Sequence, residues 1–371
     1  MPHIPPDIIR DILSRLPVKS LLRFKCVCKL WNFIISDRNF TLSNEPQRKK
    51  AIVCSSKLDS ISSFHSVNCE FAAEELPFPK ENSSSVCRFL GACHSLLLLS
   101  FDTDIYMWNP STRHCKKVLE MEQLAIEWDK IIPGFCYDES SNDYIAVIGL
   151  FHYSKPCAVL VASMKDKNWK TITFPYDLGS ARGGPFVNGR LHWIVNEPKG
   201  INYEGFDPDY AAYLRLFLCP DQIIYFNSQT SEFDLLSTPD DISEEQNILC
   251  LGVLGDCLCM VCWFIEEIHY DYMKVMIMKD YGIKESWTTL FTIPRRMYNL
   301  NMLHLIENKE EAFMVADHEI SVYDRVEEKH RSILPITGNR RFQAAAISES
   351  LVSPSDYRWD DRTYNVEINE M

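Results

Sequence analysis

Three closely spaced cysteines are the residues best suited to chemistry: Cys257, Cys259 and Cys262, with Cys250 or His269 as a candidate fourth metal ligand. Zinc-binding cysteines usually occur as C-x₂₋₄-C pairs in loops. These cysteines instead alternate within an apolar run, where a thiol behaves as a small buried apolar group. The pattern therefore favours core packing, and the sequence predicts no metal and no cofactor.

Catalytic patterns are equally sparse. The ten histidines are scattered, and neither a G-x-S-x-G, an H-E-x-x-H nor a phosphate-loop pattern is present in the sequence. Gly91, Gly184 and Gly189 are expected in turns and not before a helix, so they predict no nucleotide cradle. With no catalytic residue to name, the sequence favours a binding protein over an enzyme.

Charge is divided unevenly along the 371 residues, whose net charge is −13. Residues 1–50 contain ten Lys or Arg against four Asp or Glu, which is +6, and the remainder contains 28 against 47, which is −19. The acidic total argues against general nucleic-acid binding, which needs a basic face. A basic head on an acidic body predicts that the head meets an acidic partner.

The fourteen cysteines would suit a disulfide scaffold only in a short secreted chain. No basic stretch followed by an apolar run opens the sequence, so we expect no secretory signal, with reduced thiols in the cytoplasm or nucleus. The run from Ile248 to Ile265 is long enough to cross a bilayer. Asp256 lies at its middle, however, and Gly255-Asp256 is typical of a tight turn between two strands. We therefore expect no contact with a membrane.

The opening residues are patterned as helices. Ile8, Ile9, Ile12, Leu13 and Leu16 form an apolar stripe with helical spacing that Pro17 should end. A second short helix is predicted to be capped by Ser20, and a third to contain Trp31. So small a module seldom stabilises so much apolar surface alone, so the stripe is predicted to dock on the rest of the chain or on another protein.

After about residue 51 a repeated unit replaces the helical pattern. Each unit places a strand before a polar turn and a second strand opened by an aromatic residue, with the turns starting at 109, 163, 227, 279 and 323. The spacings are near those of four-stranded propeller blades. Asn188-Gly189 indicates a type I′ hairpin, and Trp169 and Trp287 are expected in the blade core. A β-propeller is favoured over a sandwich of two sheets.

The helical segment closely resembles an F-box in four stretches: Ile4 to Ile9, Ile12 to Leu21, Phe24 to Trp31, and Ile34-Ile35. Ile4 replaces the commoner Leu, and Leu30 fills a position that is usually polar. The resemblance implies binding to an acidic Skp-type adaptor, which bridges to cullin. The residues it assigns to adaptor binding are Ile4, Pro5, Ile8, Ile9, Ile12, Leu13, Leu16, Pro17, Leu21, Leu22, Val27, Cys28, Trp31, Ile34 and Ile35.

The remainder resembles the kelch-related, F-box-associated domain of plant F-box proteins, including the S-locus branch. The match is carried by Trp108 to Arg113, Asn142 to Tyr144, Trp169, Met278 to Trp287 and Glu349 to Pro354. We expect a mainly β protein in which a three-helix F-box precedes a kelch-like β-propeller. The expected divisions are 1–43 for the F-box, 44–88 for a connector and first strands, 89–354 for the propeller and 355–371 for an acidic tail.

The resemblance implies a non-catalytic subunit of an SCF-type (Skp–cullin–F-box) ubiquitin ligase that holds an unidentified target protein on its propeller. The alternatives are an F-box scaffold without ligase activity and an enzyme built on a propeller. Two inserted stretches, 120–133 and 196–221, are candidates for target contact, because a rigid ring often recognises its ligands through variable loops. The segment from Gly200 to Tyr213, rich in Tyr and Asp, suits protein contact or an ordinary solvated loop.

Overall fold

The structure is a computed structural model. It describes residues 4–37, 40, 49–57, 60–67, 73–77, 79, 86–125, 127–152, 156–196, 221–239, 247–254, 256–264, 272–294, 300–305, 311–316, 319–324, 326–327, 329–334 and 341–355. Three helices precede a ring of β-sheets.

The helical head consists of α1 (Pro6–Ser14), α2 (Val18–Phe24) and α3 (Lys29–Ser36). Proline opens both of the first two helices, because its fixed φ suits a helix start and its missing N–H is not needed there. Pro17 is the N-cap of α2, and Ser20 lies inside that helix. The prediction that Ser20 caps α2 is therefore wrong: the helix begins directly after the proline, three residues earlier.

The head has a small apolar core of its own. Side chains from all three helices, and one residue four positions after α3, are almost fully buried together: Leu13, Val18, Leu21, Ile34, Ile35 and Phe40. Leu351, from the far end of the chain, is 4% exposed and completes this cluster. The head is thus packed against the rest of the chain at one point of its core.

The described strands group into six units around a ring. The first contains β1 (Lys49–Lys57), β2 (Ser60–Val67), β3 (Ala73–Leu76) and the last strand, β25 (Arg341–Ser348). The second contains β4 (Cys87–Cys93), β5 (Leu96–Phe101), β6 (Asp104–Asn109) and β7 (His114–Glu120). The third contains β8 (Lys130–Ile132), β9 (Phe135–Asp138), β10 (Asp143–Phe151), β11 (Ala158–Ser163) and β12 (Trp169–Ile172).

The fourth unit contains β13 (Arg182–Val187), β14 (Arg190–Val195), β15 (Gln222–Asn227) and β16 (Glu232–Leu236). The fifth contains β17 (Asn247–Leu254), β18 (Cys257–Phe264), β19 (Tyr272–Met278) and β20 (Trp287–Pro294). The sixth contains β21 (Leu300–Leu305), β22 (Glu311–Ala316), β23 (Glu319–Asp324) and β24 (Lys329–Leu334). In the third unit β8 and β9 both pair with β10, so its inner edge is one interrupted strand.

The ring closes by joining the two ends of the β region. β25 pairs antiparallel with β1 and occupies the inner edge of the first unit. The units contact one another around the ring: β25 contacts β4, β4 contacts β9 and β13, β13 contacts β17, β17 contacts β21, and β21 contacts β25. β9 reaches the fourth unit through β14. β17 and β21 also pair in parallel. A closed ring of six units is a β-propeller, so the structure excludes the sandwich, and the five repeats seen in the sequence are six units here.

The predicted turns share one geometry. The side-chain oxygens of Asn109, Asn227 and Asp324 each accept hydrogen bonds from the backbone N–H groups two and three residues later. Ser163 does the same with its hydroxyl oxygen. Four of the repeated turns predicted from the sequence are therefore equivalent positions of the fold, each built on a short polar side chain that folds the backbone locally.

The two tryptophans at strand entries join neighbouring blades. The indole N–H of Trp169 donates to the Glu120 carbonyl at 2.8 Å, and that of Trp287 donates to the Ser237 carbonyl at 3.0 Å. Each acceptor lies at the end of the outermost strand in the preceding unit, or just beyond it. Trp287 is buried as predicted and Trp169 is half-buried. Both therefore pack between blades instead of inside one.

Two glycines lie where the sequence did not place them. Gly91 is inside β4 and Gly184 inside β13, both at irregularities of register, so the prediction of turns is wrong for these two. A Cβ at Gly91 would lie 2.6 Å from the Phe135 Cβ on the neighbouring inner strand, and its φ is +138°. Close approach of two blades therefore requires glycine here. Gly189 is in the predicted hairpin turn after Asn188, and both have positive φ.

The apolar run from residue 248 forms a hairpin, as expected. Leu254 pairs with Cys257 across the turn, and Asp256 has φ +67°. Cys250, Cys259 and Cys262 are buried in the cores between strands, and their burial raises the pKa of each thiol. None of the helices among the described residues is long and apolar enough to cross a membrane.

Candidate functional site

The largest set of exposed apolar side chains in the described structure lies on the helical head. Phe33 is 74% exposed and Val27 is 58% exposed. We call the set the outer face: Ile4, Ile8, Ile12, Val27, Leu30 and Phe33. Elsewhere among the described residues, the large apolar side chains with comparable exposure are Leu235, Ile283 and Val326. Clustering of such residues, more than their exposure singly, is what marks an interaction surface.

The outer face exists because the helices have two apolar sides. On α1, Leu13 points into the head core, whereas Ile8 and Ile12 follow Ile4 at intervals of four residues along a different line. On α3, Ile34 and Ile35 are buried while Leu30 and Phe33, three residues apart, are exposed. Residues three or four apart lie on the same side of a helix, so each helix presents a second apolar stripe outward.

The predicted adaptor-binding residues fall into three groups. The exposed ones are Ile4, Pro5, Ile8, Ile12, Val27 and Cys28, and the half-buried ones are Ile9, Leu16, Pro17, Leu22 and Trp31. The buried ones are Leu13, Leu21, Ile34 and Ile35. Because these four are already enclosed in the head core, they can support the outer face but do not themselves line it, which narrows the predicted contact set.

Two contributors to the outer face are absent from the predicted set, Leu30 and Phe33. The available signal was their spacing: Leu30 and Phe33 are three residues apart, which places them on one side of α3. Leu30 was also the apolar residue at a position where the resembled family usually has a polar one.

The helical head carries more basic than acidic side chains: residues 4–37 contain six Lys or Arg against three Asp. Arg10 pairs with Asp37 at 2.9 Å and Arg15 with Asp11 at 2.7 Å, both near the surface. Lys25 and Lys29 lie in and beside the α2–α3 turn and make no ion pair within the part of the chain that the structure describes. An apolar patch beside unpaired lysines is suited to a partner that is apolar at its centre and acidic at its edge.

One further charge links the head to the ring. Lys19 on α2 lies 3.7 Å from the carboxylate of Glu74 on β3. Both side chains are mostly exposed, so the pair contributes little to stability. It places α2 beside the first blade.

The described residues contain no group of three or more His, Cys, Asp or Glu side chains that could hold a metal ion. His192 is fully buried, contacts the Tyr281 hydroxyl at 2.7 Å, and has a pKa lowered to about 4 by its burial. It is therefore a neutral core residue at physiological pH.

The stretches predicted to contact a target are only partly described. In 120–133 the structure shows a short 3₁₀ turn (Glu122–Ala125) and β8, both part of the ring. Residues 197–220, and with them Gly200 to Tyr213, lie outside the described residues, as do 356–371 of the predicted tail. Target contact by these stretches remains a prediction.

Comparison with known families accounts for both regions of the chain. The family described as F-box domain matches residues 1–43, and the family described as F-box associated beta propeller domain matches residues 47–356. The second match includes β1, β2 and β3, in agreement with their place in the ring.

Relatives among curated proteins cover most of the chain. F-box/kelch-repeat protein At3g23880 of Arabidopsis thaliana is 28% identical over 79% of this chain and 80% of its own length. F-box protein CPR1 of the same plant is 26% identical over 95% of this chain and 89% of its own. TolB from Acinetobacter baumannii aligns with a TM-score of 0.44 at 10% identity, over 86% of this chain and 73% of TolB, too weakly to support an argument.

Proposed function

Because the chain belongs to the F-box proteins that carry an F-box associated beta propeller domain, we propose that it selects targets for an SCF-type ubiquitin ligase. In this proposal the head binds a Skp-type adaptor, which bridges to cullin, and the propeller binds the target protein. Of all the structural features, the outer face gives this proposal its main support.

The outer face supports adaptor binding for a physical reason. Six large apolar side chains exposed on and beside α1 and α3 are an unfavourable surface in water, at roughly 25 cal/mol for each Å² of apolar area. Burial against a partner removes that cost. The unpaired Lys25 and Lys29 would further favour an acidic adaptor, mainly through faster association and better discrimination.

No nucleophile is needed on such a subunit. Its contribution is proximity: holding a target lysine near the transferring subunits replaces a bimolecular encounter with an effective local concentration. The proposed location is the cytoplasm or nucleus, where the adaptor and its cullin act. The protein would therefore have a binding function, with its chemistry supplied by other subunits.

Two alternative functions can be distinguished from this proposal by experiment. An F-box scaffold would bind the adaptor without changing the abundance of its partners, whereas a working ligase would deplete them unless the proteasome is inhibited. An enzyme built on the propeller would need clustered metal ligands or paired carboxylates at the channel. Metal analysis of the purified protein tests that last alternative.

The test of the proposal compares two isoleucines with nearly equal exposure. Ile8 on the outer face is 51% exposed, and Ile283 on the propeller is 53% exposed. We expect Ile8→Asp to weaken binding of a purified Skp-type adaptor by at least about tenfold, since it places a charge in an apolar contact. Isothermal titration calorimetry on the full chain measures the affinity.

The matched control is Ile283→Asp, which makes the same chemical change away from the head. It should bind the adaptor as the unmodified protein does. The proposal fails if the unmodified chain does not bind the adaptor, or if Ile8→Asp and Ile283→Asp bind it equally well.

A further inference from the structure

The segment that follows the last strand is buried although it has no regular structure. Glu349, Ser350, Leu351 and Ser353 are each at most 7% exposed. We call residues 349–355 the strap. Connecting segments normally run over the surface, because a buried loop must satisfy its backbone polar groups some other way. The buried backbone groups of the strap therefore need hydrogen-bond partners in the rest of the chain.

On one side the strap is held by the second blade. The amide nitrogen of Asn109 donates to the carbonyls of Ser350, at 3.2 Å, and Val352, at 2.6 Å. The Ser350 hydroxyl donates to the Ser95 hydroxyl at 2.7 Å, and the Ser353 hydroxyl lies 3.1 Å from His114 Nδ1. Asn109 is fully buried, and its bond to Ser350 and the bond between Ser350 and Ser95 are shielded from water.

On the other side the strap reaches into the head. Leu351 is 4% exposed and joins the cluster built by Leu13, Leu21 and Ile35. One short segment thus places an apolar side chain in the head core while its backbone carbonyls are bound by the ring.

Equivalent turns show that Asn109 has an added role. Asn109 and Asn227 both fold their turns through the side-chain oxygen, which accepts from the two following backbone N–H groups. Asp324 folds a third turn in the same way. The donated bonds to Ser350 and Val352 therefore go beyond what the turn requires of Asn109.

We propose that the strap locks the helical head onto the propeller, with Asn109 as its anchor and Leu351 as its contact in the head. The head and ring then move as one body. If the proposed function is correct, the strap also fixes how far a head-bound adaptor lies from a target held on the ring. That consequence rests on the proposed function, whereas the lock itself does not.

Asn109→Asp is the most selective way to release the strap. Aspartate keeps the acceptor that the turn needs, as Asp324 demonstrates, but it cannot donate to the two strap carbonyls. The matched control is Asn227→Asp, which makes the same change in an equivalent turn. Hydrogen exchange of the full chain, read by mass spectrometry, follows the strap, the head helices and the second blade separately.

The lock predicts that Asn109→Asp accelerates exchange at least about tenfold in both the strap and the head helices. Asn227→Asp should leave both unchanged. Faster exchange in the strap with unchanged exchange in the head would overturn the proposal, and so would an equal effect of the two variants on the head.

A second variant covers the case in which Asn109→Asp loosens β5 and β6 themselves. Leu351→Ala leaves the strap's bonds to the blade intact and removes its contact with the head. It should accelerate exchange in the head, and unchanged exchange there would overturn the lock whatever Asn109→Asp shows.

The consequence for transfer is measured in the reconstituted ligase. Asn109→Asp should bind the adaptor within about twofold of the unmodified chain, since the outer face is untouched, yet transfer ubiquitin to a bound target more slowly. An unchanged rate of ubiquitin transfer would refute the proposed effect of the strap on transfer. The lock itself would still be decided by the hydrogen-exchange measurements. Failure of the unmodified chain to bind the adaptor would instead refute the proposed function.

Discussion

The propeller buries its apolar side chains more completely than the head does. The propeller buries long runs of them, and its described part exposes only three large ones strongly: Leu235, Ile283 and Val326. The head exposes six between Ile4 and Phe33. The ring closes on itself through β25 and β1, whereas a module of about 40 residues has too little interior to enclose its apolar surface. The propeller thus buries most of its own apolar surface, whereas the head leaves part of its apolar surface exposed. This difference supports a docking function for the head.

The largest expected effect separates the two sides of the head. Leu13→Ala removes a fully buried side chain and should destabilise the head by about 2–5 kcal/mol. Ile8→Ala, on the outer face, should change the free energy of unfolding by less than about 0.5 kcal/mol. Chemical denaturation followed by a signal from the head helices measures both. Equal destabilisation by the two substitutions would mean that the outer face is part of the fold and not a free surface.

A smaller effect should appear in the propeller alone. His192 stays neutral when folded because its pKa is about 4, below the ordinary value of 6.5, so the unfolded chain takes up a proton first as pH falls. Stability should therefore decrease between about pH 6.5 and pH 4, by about 2 kcal/mol at pH 5 relative to pH 7. Urea unfolding at the two pH values measures the loss.

His192→Gln serves as the control for that pH effect. It should remove most of the difference between pH 7 and pH 5, whatever it does to stability at either value. The described head contains no histidine, so its unfolding should show no corresponding loss in this range. A pH dependence unchanged by the substitution would show that other groups control the acid response.

Much of the fold followed from the sequence because its signals are local. The spacing of Ile8, Ile9, Ile12 and Leu13 predicts α1, and the repeated turns that begin at Asn109 and Asn227 mark equivalent blade positions. Asn188-Gly189 predicts its hairpin because both residues need positive φ. Each of these patterns depends only on neighbours in the chain.

The remainder depends on contacts between distant residues. Ser20 was expected to cap a helix that in fact begins after Pro17, because two start signals compete within three residues. Gly91 was expected in a turn, yet its requirement comes from Phe135 on another strand. Which residues of the head face inward is decided partly by Leu351, whose distance in sequence gives no periodic signal.

The contacts of the strap also could not be predicted from the sequence. The stretches around Asn109 and from Glu349 to Pro354 both carried the family resemblance, but nothing in their types shows that one binds the other. A buried amide that donates to two distant carbonyls is visible only once the ring has closed.

Oxidative footprinting of the unmodified chain, with and without a purified Skp-type adaptor, tests the central claim most directly. Adaptor binding is predicted to protect Ile8, Ile12 and Phe33 from hydroxyl radicals and to leave Leu235, Ile283 and Val326 as reactive as before. Binding that leaves the first three residues unprotected would contradict the assignment of the outer face as the docking surface.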